Sequence, residues 1–163
     1  MQGMKDIVSK LFSIADRVPP AHREDTRWEL QLIVAVEGFF WERFWLQERE
    51  YDWPSDFRTC ISLIGEEDIH LSSGAIFGVK SIFMYTKVFV ERDFFMGHSD
   101  KEAWLCVGKI GDDDWCFLCC NPQSPHYGQV MAKTDSSPWD RDTRLSPVDG
   151  CYTDYLSRIA ALT

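Results

Sequence analysis

Three groups of residues in this chain have types and spacings that could do chemistry. Cys116-x-x-Cys119 has the spacing of half a zinc knuckle, and His98, Cys106 or His126 could in principle complete four ligands. In an extended strand, however, Cys116 and Cys120 share one face while Cys119 points to the other. No second Cys-x-x-Cys pair exists, so neither a metal nor any other cofactor is expected. Gly111-Asp112-Asp113-Asp114 gathers three carboxylates, but a calcium loop needs ligands at alternating positions and a closing Glu, which is absent here. Glycine and aspartate instead tolerate the positive φ angles of a hairpin turn, whose exposed carboxylates remain free to serve a partner. Cys60 or Cys151 could act as a nucleophile with a distant histidine as its base, because such groups assemble in space and not in sequence.

No Gly-x-Ser-x-Gly, His-Glu-x-x-His, Gly-x-Gly-x-x-Gly or Walker-type segment accompanies these residues. The four histidines are scattered, and the carboxylates are too numerous to single out a catalytic pair. The pattern is that of a binding scaffold and not of an enzyme.

The elements that must position these residues follow from periodicity. Ile7, Leu11, Ile14 and Val18 form the stripe of an amphipathic helix that Pro19-Pro20 should end. A second, aromatic-rich helix is expected from about Arg27 to Glu48, capped by Asp25 or Thr26. Pro54-Ser-Asp56-Phe reads as a helix start with Pro in the first turn, and Gly65 as its stop. Trp53 is expected as a core plug between helices. Ile69 to Leu71 and Ala75 to Phe77 read as a strand, a turn and a re-entry, followed by a helix over Lys80 to Phe95.

Two apolar runs then flank the acidic turn, and Val130, Met131 and Ala132 extend the sheet. A polar loop from Asp135 to Asp149 carries Trp139, a residue type common at binding hot spots. Tyr152, Tyr155, Leu156, Ile159 and Leu162 close the chain as a helix. Helices, then a small antiparallel sheet, then a helix make the expected fold class α+β, in one domain over residues 1–163 with a helical part over 1–50.

Composition bounds the function. The 163 residues carry a net charge of -9, from 26 acidic against 17 basic residues, which disfavours nucleic acid and anionic membranes and suits a basic protein partner. With 45% hydrophobic and 14% aromatic residues, the chain can bury a full core. The apolar window from Leu30 to Leu46 is too short and too charged to span a bilayer, and charged and polar residues interrupt the region after Met1 where a secretory signal would lie. A cytoplasmic protein with reduced cysteines is therefore expected.

Taken together, Trp53-Pro54-Ser-Asp56-Phe57, Ile69-His-Leu-Ser-Ser-Gly74-Ala-Ile76-Phe77, Leu105-Cys-Val-Gly108-Lys-Ile-Gly111-Asp112, Trp115-Cys-Phe-Leu118, Gly128-Gln-Val130 and the Tyr155-Leu156 helix resemble elements of the SUKH superfamily. That group includes fungal cell-wall synthesis regulators and many bacterial immunity proteins. The likeness spans roughly residues 50 to 163. It implies an immunity protein that binds a cognate toxin and occludes its active site or substrate surface without turnover. The contact surface expected on this reading is Glu66, Glu67 and Asp68, then Asp112, Asp113 and Asp114, then Trp139, Asp140 and Asp142. An intracellular scaffold or regulator of the same fold, and a thiol-dependent enzyme, are the alternatives.

Overall fold

Turn chemistry and alternating apolar runs build the centre of the molecule, a β-meander. The computed structural model describes residues 3–19, 52–91, 103–133 and 145–163. In chain order these form α1 (Met4–Ile14), α2 (Ser55–Ile64), β1 (Ile69–Leu71), β2 (Gly74–Ile76), α3 (Val79–Glu91), β3 (Trp104–Ile110), β4 (Asp114–Cys119), β5 (Val130–Ala132), β6 (Ser146–Asp149) and α4 (Tyr152–Leu162). The six strands pair antiparallel in one sheet whose spatial order follows the chain, so every connection joins neighbours. The fold is α+β, as the order of elements predicts.

The strands at the centre are buried on both faces because helices cover both. Phe89 of α3 touches Trp115 and Phe117 of β4, at ring-centroid distances of 5.2 Å each. Cys116 lies between those two residues and therefore points through the opposite face, toward Tyr155 of α4. On that face α1 packs against both α2 and α4. Ile7, Leu11, Phe57, Ile61, Tyr155 and Ile159 carry the apolar stripes that meet there, all essentially inaccessible to solvent. Trp53 is buried as well, against Phe57 and Phe83, which makes it the plug expected from its position ahead of α2.

Two details fix the sheet against its covers. The β3–β4 register shifts between Cys106 and Gly108. There the Cys106 N–H donates to Thr86 Oγ1 at 2.8 Å, while the Thr86 hydroxyl donates to the Ile82 carbonyl at 2.6 Å. A hydroxyl buried on α3 thus satisfies a buried backbone donor of the sheet. At Gly108, a Cβ would overlap both the Ala75 carbonyl oxygen and the Tyr155 hydroxyl, so only glycine lets β2 and α4 approach β3 this closely.

The structure departs from the sequence reading at three boundaries. α1 stops at Ile14, not at Pro19-Pro20, and Val18 is 88% exposed. Asp16 adopts a left-handed φ of 53°, its N–H bonds to the Ser13 carbonyl, and the Arg17 N–H bonds to the Phe12 carbonyl. This is a Schellman closure with aspartate in the place glycine usually takes. Pro54 is the N-cap of α2 and lies outside its first turn, although Gly65 ends the helix as expected, at a φ of 81°. The polar stretch ahead of Asp149 is not all loop, since Ser146–Asp149 pairs with β5. Pro147 is tolerated because β6 is an edge strand, where a missing N–H costs no ladder bond. The expected helix over Arg27 to Glu48 lies outside the described residues.

Candidate partner-binding surface

The expected acidic patches fall in different settings. Ile110 pairs with Asp114 across a three-residue turn, in which Gly111 takes a φ of 64° and donates its N–H to the Ser73 carbonyl at 2.7 Å. That bond ties the turn to the β1–β2 hairpin beside it, so the tip is held and does not dangle. Asp112 and Asp113 are exposed there, and among the described residues neither carboxylate is ion-paired, while Asp114 is half-buried at the start of β4.

One pair further down the hairpin, Lys109 lies opposite Trp115, with its ammonium 4.0 Å from the indole ring centre. Trp115 also contacts Tyr85 of α3 at 4.9 Å and Phe77 at 6.1 Å. Trp115 and Tyr85 stay half-buried, so the acidic tip continues into an amphipathic aromatic surface. The sequence reading missed this surface. Counting outward from the turn pairs position 109 with 115, but nothing in the sequence brings Tyr85 to them.

Glu66, Glu67 and Asp68 lie at the other end of the β1–β2 hairpin and are occupied. Lys80 sits 3.1 Å from Glu66 and 3.2 Å from Glu67, and these hydrogen bonds, Glu66 first, hold the ammonium pKa above its usual value. Asp68 accepts the Gly78 N–H at 2.8 Å and the Ser81 hydroxyl at 2.7 Å, which caps the start of α3. Its carbonyl also accepts a hydrogen bond from Arg17, tying the end of α1 to β1. The two acidic groups are therefore separated by the length of β1 and do not form one patch. Trp139, Asp140 and Asp142 lie outside the described residues.

The thiols are built as core. Cys60, Cys106, Cys116 and Cys120 are fully buried, and none of the six cysteines is joined in a disulfide. Burial drives the Cys60 pKa far up, with the neighbouring Tyr152 hydroxyl acting against it. Cys116 is pushed up to about 12 by the same desolvation, with Tyr155 acting against it. Cys151, half-buried at the N-cap of α4, is also raised, mainly by desolvation and then by the Asp154 carboxylate. Among the described residues neither His70 nor His126 hydrogen-bonds to a thiol, and His126 instead faces Gln129 at 3.3 Å. His22 and His98 lie outside those residues. An activated thiol needs the opposite setting, partly exposed and beside positive charge.

Among the described residues no three His, Cys, Asp or Glu side chains converge where they could hold a metal ion. No helix among them is long and apolar enough to cross a membrane. Comparison of the chain with protein-family models, with curated proteins and with solved structures finds no match.

Proposed function

We propose that this protein works by covering another protein, and that it is an immunity protein whose partner is a cognate toxin with a basic surface. The observation that carries the reading is the β3–β4 tip, where the exposed carboxylates of Asp112 and Asp113 stand next to half-buried Trp115 and Tyr85. Aromatic anchors rimmed by charge are the composition of interface hot spots, and a chain of net charge -9 attracts a basic partner over long range. The buried, high-pKa thiols support binding over thiol chemistry. The resemblance to SUKH immunity proteins supports the choice of a toxin, and occlusion of its active site or substrate surface is the mechanism.

The test is co-expression with the products of the neighbouring open reading frames, each tried as a candidate toxin. The unaltered chain should restore growth and co-purify with the toxin. The double variant Asp112→Lys, Asp113→Lys should associate about tenfold more slowly at low salt, with the difference shrinking as salt is added. Equal association rates at low salt would remove the tip from the interface, and failure to bind any such toxin would remove the function. Capture of a signalling or cell-wall component in its place would favour a scaffold.

A further inference from the structure

Between the first turns of α2 and α4 lies an open cleft of about 480 Å³, whose walls include Asp52, Trp53, Arg58, Tyr127, Gly128 and Cys151. Helix starts usually favour anions, but here Asp56 already fills that role. One of its carboxylate oxygens accepts the Phe57 N–H at 2.8 Å, and the other accepts the Thr153 N–H at 3.0 Å and the Thr153 hydroxyl at 3.1 Å. A single carboxylate thus offsets the positive ends of both helices.

Asp52 is placed differently. Its backbone N–H donates to the Cys120 carbonyl at 2.7 Å, which fixes the residue at the cleft wall. Its side chain is 54% exposed, accepts a long hydrogen bond from the Tyr127 hydroxyl at 3.4 Å and forms a loose ion pair with Arg58 at 3.8 Å, which leaves it accessible to a second cation. Arg58 is also committed elsewhere, with its Nε donating to the Trp53 carbonyl at 3.1 Å and its guanidinium 5.7 Å from the Trp53 ring centre. The Tyr127 phenol and the Cys151 thiol both have raised pKa values, through desolvation first and then through Asp52 for the former and Asp154 and Asp56 for the latter.

We propose that this cleft receives an arginine side chain of a protein partner, with Asp52 as its counter-ion and the Tyr127 ring as the wall on which the guanidinium lies. A planar guanidinium can engage both oxygens of one carboxylate while stacking on an aromatic ring, a combination that an ammonium cannot match. The proposal deepens the partner-binding reading and rests on it for the occupant being part of a protein.

Titration of the isotope-labelled chain with N-acetyl-arginine-N-methylamide, followed by amide NMR shifts, tests the cleft without any partner. Saturable shifts at Asp52, Tyr127, Gly128 and Cys151 are expected, with weaker binding of the lysine analogue and none of the glutamate analogue. Asp52→Asn should weaken the arginine probe about tenfold. Should that variant disturb the fold, Tyr127→Leu reads the same cleft and should weaken the probe about threefold. No saturable shift, equal binding by a folded Asp52→Asn, or tighter binding of the glutamate analogue would overturn the proposal. A chain that takes the arginine probe but no toxin would overturn the immunity function and keep the cleft, whereas toxin binding with no probe binding would do the reverse.

Discussion

The base and the tip of the β3–β4 hairpin belong to one continuous piece of chain, yet they live in opposite environments. At the base, residues 104–107 and 116–119 are buried on both faces, between α3 on one side and α4 on the other. At the tip, a few residues away, Asp112 and Asp113 are exposed and Trp115 only half-buried. The difference teaches where the chain spends its apolar surface. The base supplies stability through burial, about 25 cal/mol for each Å² removed from water, and so holds the tip in place for contact with something else.

The largest separation between the two regions should come from alkali. Cys60, Cys106, Cys116 and Cys120 have folded-state pKa values raised by burial above the ordinary 9.0, Cys116 to about 12. Below that ordinary value both folded and unfolded chains keep these protons, and the stability is fully present. Above it the unfolded chain loses protons that the folded chain retains. Stability therefore falls as pH rises, by ~1.4 kcal/mol per pH unit for each such thiol, until the folded pKa is reached. Urea midpoints from about pH 8 to about pH 10.5 should drop steeply, and Cys116→Ala should flatten the slope. A midpoint that stays level across that range would mean the base is wetter than its burial indicates.

A smaller effect should come from adding one methyl group inside β3 or in the turn that follows it. Gly108→Ala drives a Cβ into the Ala75 carbonyl and the Tyr155 hydroxyl, with little room for either to move, and should cost about 3 kcal/mol. Gly111→Ala, at a φ of 64° in open space, suffers only the left-handed backbone strain, and should cost about 1 kcal/mol. Similar losses for the two in urea unfolding would erase the distinction between base and tip.

The buried hydroxyl of Thr86 comes next. Thr86→Val keeps the shape but withdraws the acceptor from the Cys106 N–H, and should destabilise the chain by about 2 kcal/mol. Hydrogen exchange at Cys106 should accelerate more than at Met131, which lies on β5, two strands away in the sheet. Uniform acceleration would indicate that the register shift in β3 is held by something other than this contact.

How far the sequence reaches into this arrangement depends on the range of the forces involved. Gly65, the Gly111 turn, the start of α1 and the apolar period of α4 act within a few residues, and these features lie where their patterns place them. β6 was hidden because Ser146-Pro147 has the chemistry of a loop, and only its edge position makes it a strand. The end of α1 was hidden because Asp16 takes a conformation usually left to glycine. For the candidate surface, Asp112 and Asp113 were legible as turn residues. The capping role of Asp68 was not, since Gly78 and Ser81 come back to it only after β1 and β2 have paired. Asp52 and Tyr127 are brought together by the Cys120 carbonyl and the turn before β5, which no local pattern announces.

The finest test of the comparison is Trp115, where base and tip meet. Its ring contacts Tyr85, Phe89 and Phe77 and carries Lys109, so part of its surface already serves the core. Trp115→Ala gives up these aromatic contacts, but the half-buried site can fill with water and neighbouring side chains, so stability should fall by only about 1 kcal/mol. Phe117, two residues further in and without solvent access, should cost about 4 kcal/mol when cut to alanine. If the tip is the contact surface, the order reverses for partner binding. Trp115→Ala should then raise the dissociation constant about thirtyfold, while folded Phe117→Leu should leave it within about twofold. Calorimetric titration against the proposed toxin partner, beside urea curves for the same variants, separates the two quantities. Equal affinities for the unaltered chain and Trp115→Ala would assign this tryptophan to the core alone.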